Sequence, residues 1–170
     1  MKTILETDRL LLREFTADDA EAFFAFNGDS EVMRHTGETP STSVSEVRGL
    51  IRDYPDYRKY GFGRWAVVYK PDQRVVGFNG LKYLEDLREV DIGYRFRVDY
   101  WGRGIATESS TAVVRYGFET LGLERIIGLV LPDNTGSIRV LEKVGMHLDG
   151  TIDYCGEKAQ RWVLDRSDVA

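Results

Sequence analysis

The stretch from Glu89 to Val98 alternates strictly along its length, and it limits the fold more than any other part of this chain. Its even-numbered residues are aliphatic or aromatic, whereas its odd-numbered residues are charged or glycine. This alternation predicts a β-strand with one buried face and one polar face. The strand leads into a glycine-containing loop and then into a helix predicted from about Arg103 to Leu121, which Gly122 closes. A strand, a short loop and a helix in this order are typical of folds in which helices pack on a sheet.

Weaker patterns predict the other elements. Residues 125–131 form a continuous apolar run, which is typical of a central strand that is covered on both faces. Further strands are predicted at residues 9–13, 65–69 and 75–84 and near 146–154 and 161–164, and further helices at 16–27, 43–54 and 134–144. The order β-α-α-β-β-β-α-β-α-β-β predicts an α/β fold with a mixed sheet and helices on both of its faces.

The composition restricts the functions that such a fold can serve. Asp and Glu number 28 against 23 Lys and Arg, which gives a net charge of −5 and argues against nucleic acid as the main ligand. The single cysteine, Cys155, excludes an internal disulfide or a cysteine-based zinc site, and His35 and His147 are not spaced as metal ligands. An acidic N-terminal segment and short apolar runs argue against a signal peptide and against membrane insertion. We therefore expect a metal-independent, cytoplasmic protein whose 170 residues form one domain.

The loop at residues 100–108 contains Gly102 and Gly104 just before the predicted helix begins. The first amides of a helix lack internal partners and glycines leave room for a ligand, so this loop suits a phosphate or pyrophosphate. A P-loop is excluded because Ile and Ala follow the second glycine, where Lys and Ser or Thr are needed. A Rossmann site needs an acid near the end of the next strand, which Asp133 could supply, but its first strand is usually apolar throughout. A tight strand-to-helix turn without a ligand would show the same pattern.

Four motifs occur in order along the chain and together resemble one family. They are T-x-R-L-x-L-R at residues 7–13, D-I-G-Y at 91–94, Y-W-G-x-G-x-A-T-E at 100–108 and N-x-x-S-x-x-x-x-x-K-x-G at 134–145. The combination resembles the GNAT superfamily of acyl-CoA-dependent N-acetyltransferases and, within it, the RimJ/RimL-type group. The resemblance implies a GNAT fold, with a mixed, mostly antiparallel sheet of about seven strands whose central strands splay apart.

The resemblance also implies how acetyl-CoA is bound. In the superfamily the amides of the glycine loop hold the pyrophosphate, and the end of the preceding strand pairs with the pantetheine arm as an added β-strand would. Trp101 takes the place of the Gln or Arg that is usual in the superfamily. The cofactor-binding residues implied in this way are Phe96, Arg97, Val98, Arg103, Gly104, Ile105, Ala106, Thr107 and Asn134.

Two further residues are implied as catalytic groups, Ser137 as the acid and Asp91 as the base. Many members of the superfamily place a tyrosine seven residues after the asparagine to protonate the leaving thiolate, but Leu141 stands there in this chain. The resemblance implies that Ser137 takes over this role, although a serine in a first helical turn can also simply satisfy a backbone amide. For the base, Glu89 or a water relay remain alternatives to Asp91, and either carboxylate could instead be a solvent-facing strand residue.

These implications lead to a specific expectation for the function. We expect an enzyme that transfers an acetyl group from acetyl-CoA to a primary amine by direct attack in a ternary complex, without a metal. The alternatives are a GNAT-fold module that binds acyl-CoA without turnover and, more remotely, a nucleotide enzyme outside the family. A protein N-terminus, a free amino acid, a polyamine and an aminoglycoside-like amine all remain open as acceptors. Neither nucleic acid nor membrane is an expected partner, and the protein is expected to be a monomer or a homodimer.

Overall fold

Eight strands form one sheet in the computed structural model, which describes residues 2–169. Their spatial order is β1-β2-β3-β4-β5-β6-β8-β7, and neighbouring strands are antiparallel except for the parallel pair of β5 and β6. The strands are β1 (Thr3–Glu6), β2 (Leu10–Arg13), β3 (Arg64–Tyr69), β4 (Arg74–Leu84), β5 (Glu89–Phe96), β6 (Arg125–Val130), β7 (His147–Tyr154) and β8 (Glu157–Asp165). The predicted mixed, mostly antiparallel sheet is therefore confirmed, with eight strands instead of about seven because β1 was not predicted.

Six α-helices accompany the sheet within residues 2–169, two more than the patterns predict. They are α1 (Ala20–Asn27), α2 (Ser30–Met33), α3 (Val44–Arg52), α4 (Asp56–Tyr60), α5 (Ile105–Glu119) and α6 (Thr135–Val144). The unpredicted helices, α2 and α4, have four and five residues, which is too short to show a helical period. Pro55, which directly follows the predicted helix at residues 43–54, stands at the N-cap of α4.

The helices cover both faces of the sheet, as predicted. On one face, Phe23 of α1 and Ile51 of α3 belong to a buried cluster with Phe78 of β4. On the other face, α5 packs on the sheet through an apolar stripe that includes Val113 and Phe118. A buried polar contact fixes α5 further, because Asn79 of β4 donates from Nδ2 to the hydroxyls of Ser109 at 2.8 Å and of Ser110 at 2.9 Å. These contacts hold the N-terminal end of α5 in a defined position relative to β5.

The parallel strands β5 and β6 separate near the middle of β5. They share one register pair, Asp91 with Ile127, whereas β5 remains paired with β4 as far as Phe96. The implied splay of the central strands is therefore confirmed, and it opens between residues 92–96 and the end of β6. The strand itself ends at Phe96 instead of Val98, because residues 98–100 form a 3-10 turn that leads into the glycine loop.

Candidate active site

Two clefts lie at the splay and adjoin each other there. The cleft that we call the loop cleft, about 540 Å³, lies between the end of β5, the start of α5 and the start of α6. The second, about 650 Å³, lies between the sheet and the region of α1 and α3, and we call it the aromatic cleft because Phe15, Phe23, Tyr54 and Phe78 line it. Both clefts are lined by the same six residues where they meet: His35, Thr36, Tyr94, Arg95, Asn134 and Ser137. Two ligands could therefore enter from different sides and meet at this junction.

The glycine loop presents free backbone donors to the loop cleft. Gly104 stands at the N-cap of α5 with a left-handed φ of 76°, and no side chain caps the helix there. The amide of Glu108 donates to the carbonyl of Gly104, so the three preceding amides, of residues 105–107, come before the first helical hydrogen bond. A Cβ on Gly104 would have only Arg9 Nη2 near it, at 3.6 Å, so the space above the turn is open. Uncapped amides and the positive end of a helix dipole together suit a pyrophosphate.

The loop is held in place by the N-terminal strand β2 and the residues before it. Glu108 accepts hydrogen bonds from Thr7 Oγ1 at 2.6 Å and from Arg9 Nε at 2.7 Å, and Arg9 Nη1 reaches the carbonyl of Arg103 at 3.0 Å. Burial raises the pKa of Glu108, but the hydrogen bonds from Thr7 and Arg9 outweigh this effect, so its pKa lies below its usual range. Thr7 and Arg9 of the motif at residues 7–13 therefore contact Glu108, the glutamate of the A-T-E in the loop motif, directly.

Most of the implied cofactor residues line the loop cleft, and three do not. Phe96, Asn134 and the run from Gly104 to Thr107 line it. Arg103 is outside the lining, and its guanidinium carbon lies 4.6 Å from the centre of the Tyr100 ring. Arg97 and Val98 are also outside it, since the strand ends at Phe96.

The backbone of β5 explains why Arg97 does not face the splay. Its N–H donates to the carbonyl of Val76 in β4 at 2.9 Å, so that donor is used within the sheet. Hydrogen-bonding directions alternate along a strand, and the amides of Tyr94 and Phe96 therefore point toward the gap beside β6. Trp101 Nε1 donates a hydrogen bond to the carbonyl of Phe96 at 2.9 Å. The edge open to an extended ligand is thus formed by Tyr94 and Phe96.

Ser137 lies at the junction of the clefts, and Asn134 caps its helix. The amide of Ser137 donates to Asn134 Oδ1 at 3.2 Å, so the cap is the asparagine side chain. The phenol of Tyr94 reaches across the splay and donates to the carbonyl of Ser137 at 3.2 Å. Burial raises the pKa of Tyr94 to about 12, against a smaller opposing effect of hydrogen bonding to Ser137. We did not predict Tyr94 as a site residue, although it is the tyrosine of the D-I-G-Y motif.

Asp91 lies on the floor of the aromatic cleft and is not solvent-facing. It is only 8% exposed, and its Oδ1 accepts from Arg64 Nη2 at 2.9 Å. Arg64 crosses the sheet over Gly93, where a Cβ would lie 2.4 Å from Nη2, so this glycine makes the ion pair sterically possible. Burial raises the pKa of Asp91, while the charge of Arg64 opposes the increase. The alternative of Asp91 as a solvated strand residue is therefore wrong.

Glu89, the alternative base, lies outside the linings of both clefts. Its Oε1 pairs with Nη2 of Arg161, a residue of β8, at 2.5 Å. This contact gives it a structural role away from the junction.

Among residues 2–169, no group of three or more His, Cys, Asp or Glu side chains is arranged to hold a metal ion. None of the helices within these residues has the length and apolar character required to cross a membrane.

Comparisons with known proteins agree with this geometry. The family model described as "Acetyltransferase (GNAT) domain" matches residues 9–147. The chain is 36% identical over 154 residues to the "Uncharacterized N-acetyltransferase YoaA" of Bacillus subtilis (strain 168), a match that covers 89% of this chain and 87% of that protein. It superposes on a GNAT-family acetyltransferase from Bacillus anthracis with a TM-score of 0.82 and 27% identity, over 96% of this chain and 98% of that one. It also superposes on the ribosomal-protein-S5-alanine acetyltransferase of Vibrio fischeri with a TM-score of 0.76, over 96% and 97% of the two chains, and at 18% identity this likeness concerns the fold alone.

Proposed function

Because the chain belongs to the GNAT acetyltransferase family, we propose that it transfers the acetyl group of acetyl-CoA to a primary amine while both substrates are bound. One observation carries the proposal: two clefts meet at the splay between β5 and β6, and one of them presents uncapped helix amides. We assign the loop cleft to acetyl-CoA and the aromatic cleft to the acceptor amine.

The loop cleft offers the free backbone donors that coenzyme A would need. The amides of Ile105, Ala106 and Thr107 would hold the pyrophosphate, and Gly104 leaves room for it because it has no side chain. The edge of β5 at Tyr94 and Phe96 would bind the amides of the pantetheine arm as a neighbouring strand does. Bound there, acetyl-CoA supplies a thioester with an electrophilic acyl carbon and a thiolate leaving group.

We assign the proton transfers that this reaction needs to residues at the junction and to Asp91 in the adjoining aromatic cleft. An acceptor amine arrives protonated, because a lysine-like ammonium has a pKa of about 10.4 and an α-amine one of about 8. Asp91 lies on the acceptor side of the sheet, where it would take the amine proton directly or through a water. The amide of Tyr94 or Phe96 would donate to the carbonyl oxygen as negative charge develops on it.

Tyr94 and Ser137 lie at the junction and line both clefts, whereas Asp91 lines only the aromatic cleft, so we place the leaving thiolate beside Tyr94 and Ser137. The phenol of Tyr94 is protonated at neutral pH, as any tyrosine with a pKa of about 10 or higher is, and it donates to the carbonyl of Ser137. We therefore propose that these two residues together return a proton to the thiolate. Many members of the family protonate the thiolate with a tyrosine at the helix position that Leu141 holds here. In this protein Tyr94 would do so from strand β5.

The RimJ/RimL-type assignment is part of the same proposal. It is supported by the contact of Thr7 and Arg9 with Glu108, which joins two of the four motifs of that group. We further propose that the chain forms a single domain. We also propose a cytoplasmic location, since the exposed thiol of Cys155 suits a reducing compartment.

The first test separates an enzyme from a module that only binds acyl-CoA. Acetyl-CoA is expected to raise the melting temperature, because a ligand of the folded state at 100 times its Kd adds about 2.7 kcal/mol of stability. Release of CoA is then measured with a panel of amines and N-terminal peptides. Stabilisation without CoA release from any amine would favour the binding module, and stabilisation by NAD instead of acetyl-CoA would contradict the proposal altogether.

A second prediction concerns the proton donors. Ser137→Ala and Tyr94→Phe are each expected to lower turnover by roughly ten- to a thousand-fold, in and below the usual range for a positioned acid. Because both residues serve the same proton, the double variant should lose little more than the worse single variant. Affinity for acetyl-CoA, measured by calorimetry, should change little, since the loop amides supply most of the binding.

The melting curves of the same variants provide the control. Asn134 and not the Ser137 hydroxyl caps α6, so Ser137→Ala should retain near wild-type stability. Wild-type turnover in both single variants would mean that water protonates the thiolate and that the enzyme has no dedicated acid.

A further inference from the structure

We propose that Arg95 forms a carboxylate-binding subsite at the junction of the clefts, and that the acceptor is an amine that also carries a carboxylate, as an amino acid does. This inference rests on the proposed function, since it assigns a substrate class to the acceptor cleft.

Arg95 is placed where such a subsite would act. It follows Tyr94 in β5 and lines both clefts, so its guanidinium lies next to the point where the substrates would meet. Its side chain is only 11% exposed, and the guanidinium carbon is 5.2 Å from the centre of the Phe78 ring. A largely buried guanidinium is costly unless a counter-charge and hydrogen-bond acceptors satisfy it.

The hydrogen bonds of Arg95 are incomplete on one edge of the guanidinium. Nη1 donates to Asn27 Oδ1 at 2.5 Å and Nη2 donates to Glu38 Oε2 at 3.2 Å, while the buried Nε has no partner among the described residues. Nε and Nη2 form the edge that binds a carboxylate with two parallel hydrogen bonds. Other arginines of this protein complete that fork with one carboxylate: Arg52 with Asp53 at 2.9 and 2.9 Å, Arg97 with Asp99 at 3.0 and 3.0 Å, and Arg125 with Asp165 at 2.6 and 3.1 Å.

Glu38 accepts the hydrogen bond from Nη2 only, and a substrate carboxylate could replace it there. Its side chain is 65% exposed, and it follows Gly37, which has a left-handed φ of 72° in the segment between α2 and α3. A surface carboxylate that makes one hydrogen bond contributes little stability. A substrate carboxylate that reached both Nε and Nη2 would therefore displace Glu38 with a net gain.

The other charges in the aromatic cleft favour an anion over a second cation. Arg64 and Asp91, with side chains 17% and 11% exposed, neutralise each other, so Arg95 leaves one positive charge among the buried groups. Lys82 and Glu157 also line the cleft and are exposed, with opposite charges. A polyamine would meet Arg95 as a like charge. Among the described lining residues the buried carboxylate, Asp91, is already paired with Arg64, and the other two, Glu38 and Glu157, are exposed.

The experiment compares acceptors that differ only in the carboxylate. Each standard L-amino acid is assayed against its α-carboxamide, which also mimics a peptide N-terminus, and spermidine is included as a polyamine. CoA release is measured for the wild-type protein, Arg95→Gln, Arg95→Lys and Glu38→Gln. Acetyl-CoA-induced thermal stabilisation is recorded for each variant as a check of folding and of the loop cleft.

We expect the wild-type protein to prefer the free acid. Arg95→Gln should raise KM for the acid by about 10- to 100-fold, as expected for loss of a two-point charged hydrogen bond, and leave KM for the carboxamide nearly unchanged. Arg95→Lys should restore only part of the loss, because an ammonium does not form the fork. Glu38→Gln, on an exposed side chain, should lower KM for the acid by removing its competitor.

The contrary results separate this inference from the proposed function. Efficient turnover of carboxamides or spermidine without a preference for the acid would overturn the carboxylate subsite and leave the acetyltransferase activity established. Equal effects of Arg95→Gln on acids and carboxamides, together with an unchanged KM in Glu38→Gln, would do the same. If acetyl-CoA stabilises the protein and no amine of any kind is acetylated, both the proposed function and the subsite fall.

Discussion

Replacing Gly104 with Val is expected to abolish the rise in melting temperature that acetyl-CoA gives the wild-type protein. The valine side chain would project into the open space above the uncapped amides of α5, where the pyrophosphate is placed. The fold itself would meet little obstruction, because the nearest atom to a Cβ at this position is Arg9 Nη2 at 3.6 Å. The φ of 76° is unfavourable for any residue with a Cβ, so the variant should also lose roughly 1–2 kcal/mol of stability.

A matched variant separates backbone strain from loss of the ligand site. Gly122 has a φ of 69°, and a Cβ added there would meet no atom within 4 Å. It lies beyond the C-terminal end of α5, outside both clefts. Gly122→Val should therefore lose a similar amount of stability and keep the full stabilisation by acetyl-CoA. If Gly104→Val also keeps it, the pyrophosphate binds elsewhere and the assignment of the loop cleft is wrong.

The loop at residues 100–108 illustrates what sequence patterns predict well. Alternation along β5 and the glycines after it fix a strand, a turn and a helix locally, because each depends on a few consecutive residues. The short elements β1, α2 and α4 escape prediction for the same reason, since four or five residues do not show a period. The splay between β5 and β6 has no local signal, and it followed only from the resemblance to a family.

The candidate site is less predictable because its contacts join distant parts of the chain. The alternation of β5 shows that its two faces differ, but it does not show that Asp91, on the charged face, is buried beside Arg64 on the floor of the aromatic cleft. Arg64 reaches Asp91 only because the register of β3, β4 and β5 aligns it with Gly80 and Gly93. Contacts of this kind depend on sheet order, which single-strand patterns do not encode.

Tyr94 shows the same limit in a residue that the motifs did include. The alternation assigns it to the apolar face, where a tyrosine is most simply a core residue. Its hydroxyl becomes a functional candidate only when β6 turns away and α6 brings Ser137 within 3.2 Å. A tyrosine on the buried face of a strand beside a splayed partner is the signal that could have identified it.

Asp91→Asn is expected to lower turnover by about 10²- to 10⁴-fold, the range for loss of a positioned base. The loss of turnover should grow as the pH is lowered toward the pKa of Asp91, because nearly all of the acceptor amine is protonated there and needs a base. Below that pKa the wild-type carboxyl is itself protonated, and the difference between the two proteins should shrink. In the wild-type protein the rate should fall as the pH drops through the pKa of Asp91, which burial raises above its ordinary value of about 3.9. The variant should lack this limb of the pH profile and should still bind acetyl-CoA, because Asp91 is not part of the lining of the loop cleft.

A suitable control for this variant removes the carboxylate of another largely buried ion pair without touching the site. Asp91→Asn leaves Arg64 largely buried without its partner, which costs up to about 3–5 kcal/mol, so rates are compared per folded molecule below the melting temperature. Glu89→Gln removes a carboxylate from the same face of β5 that is paired with the largely buried Arg161, yet lies outside both clefts. It should lose less stability, because Arg161 keeps its ion pair with Asp149, and it should retain wild-type turnover and pH profile. Similar kinetics in the two variants would mean that Asp91 serves only to hold Arg64 in place, and that a water relay accepts the amine proton.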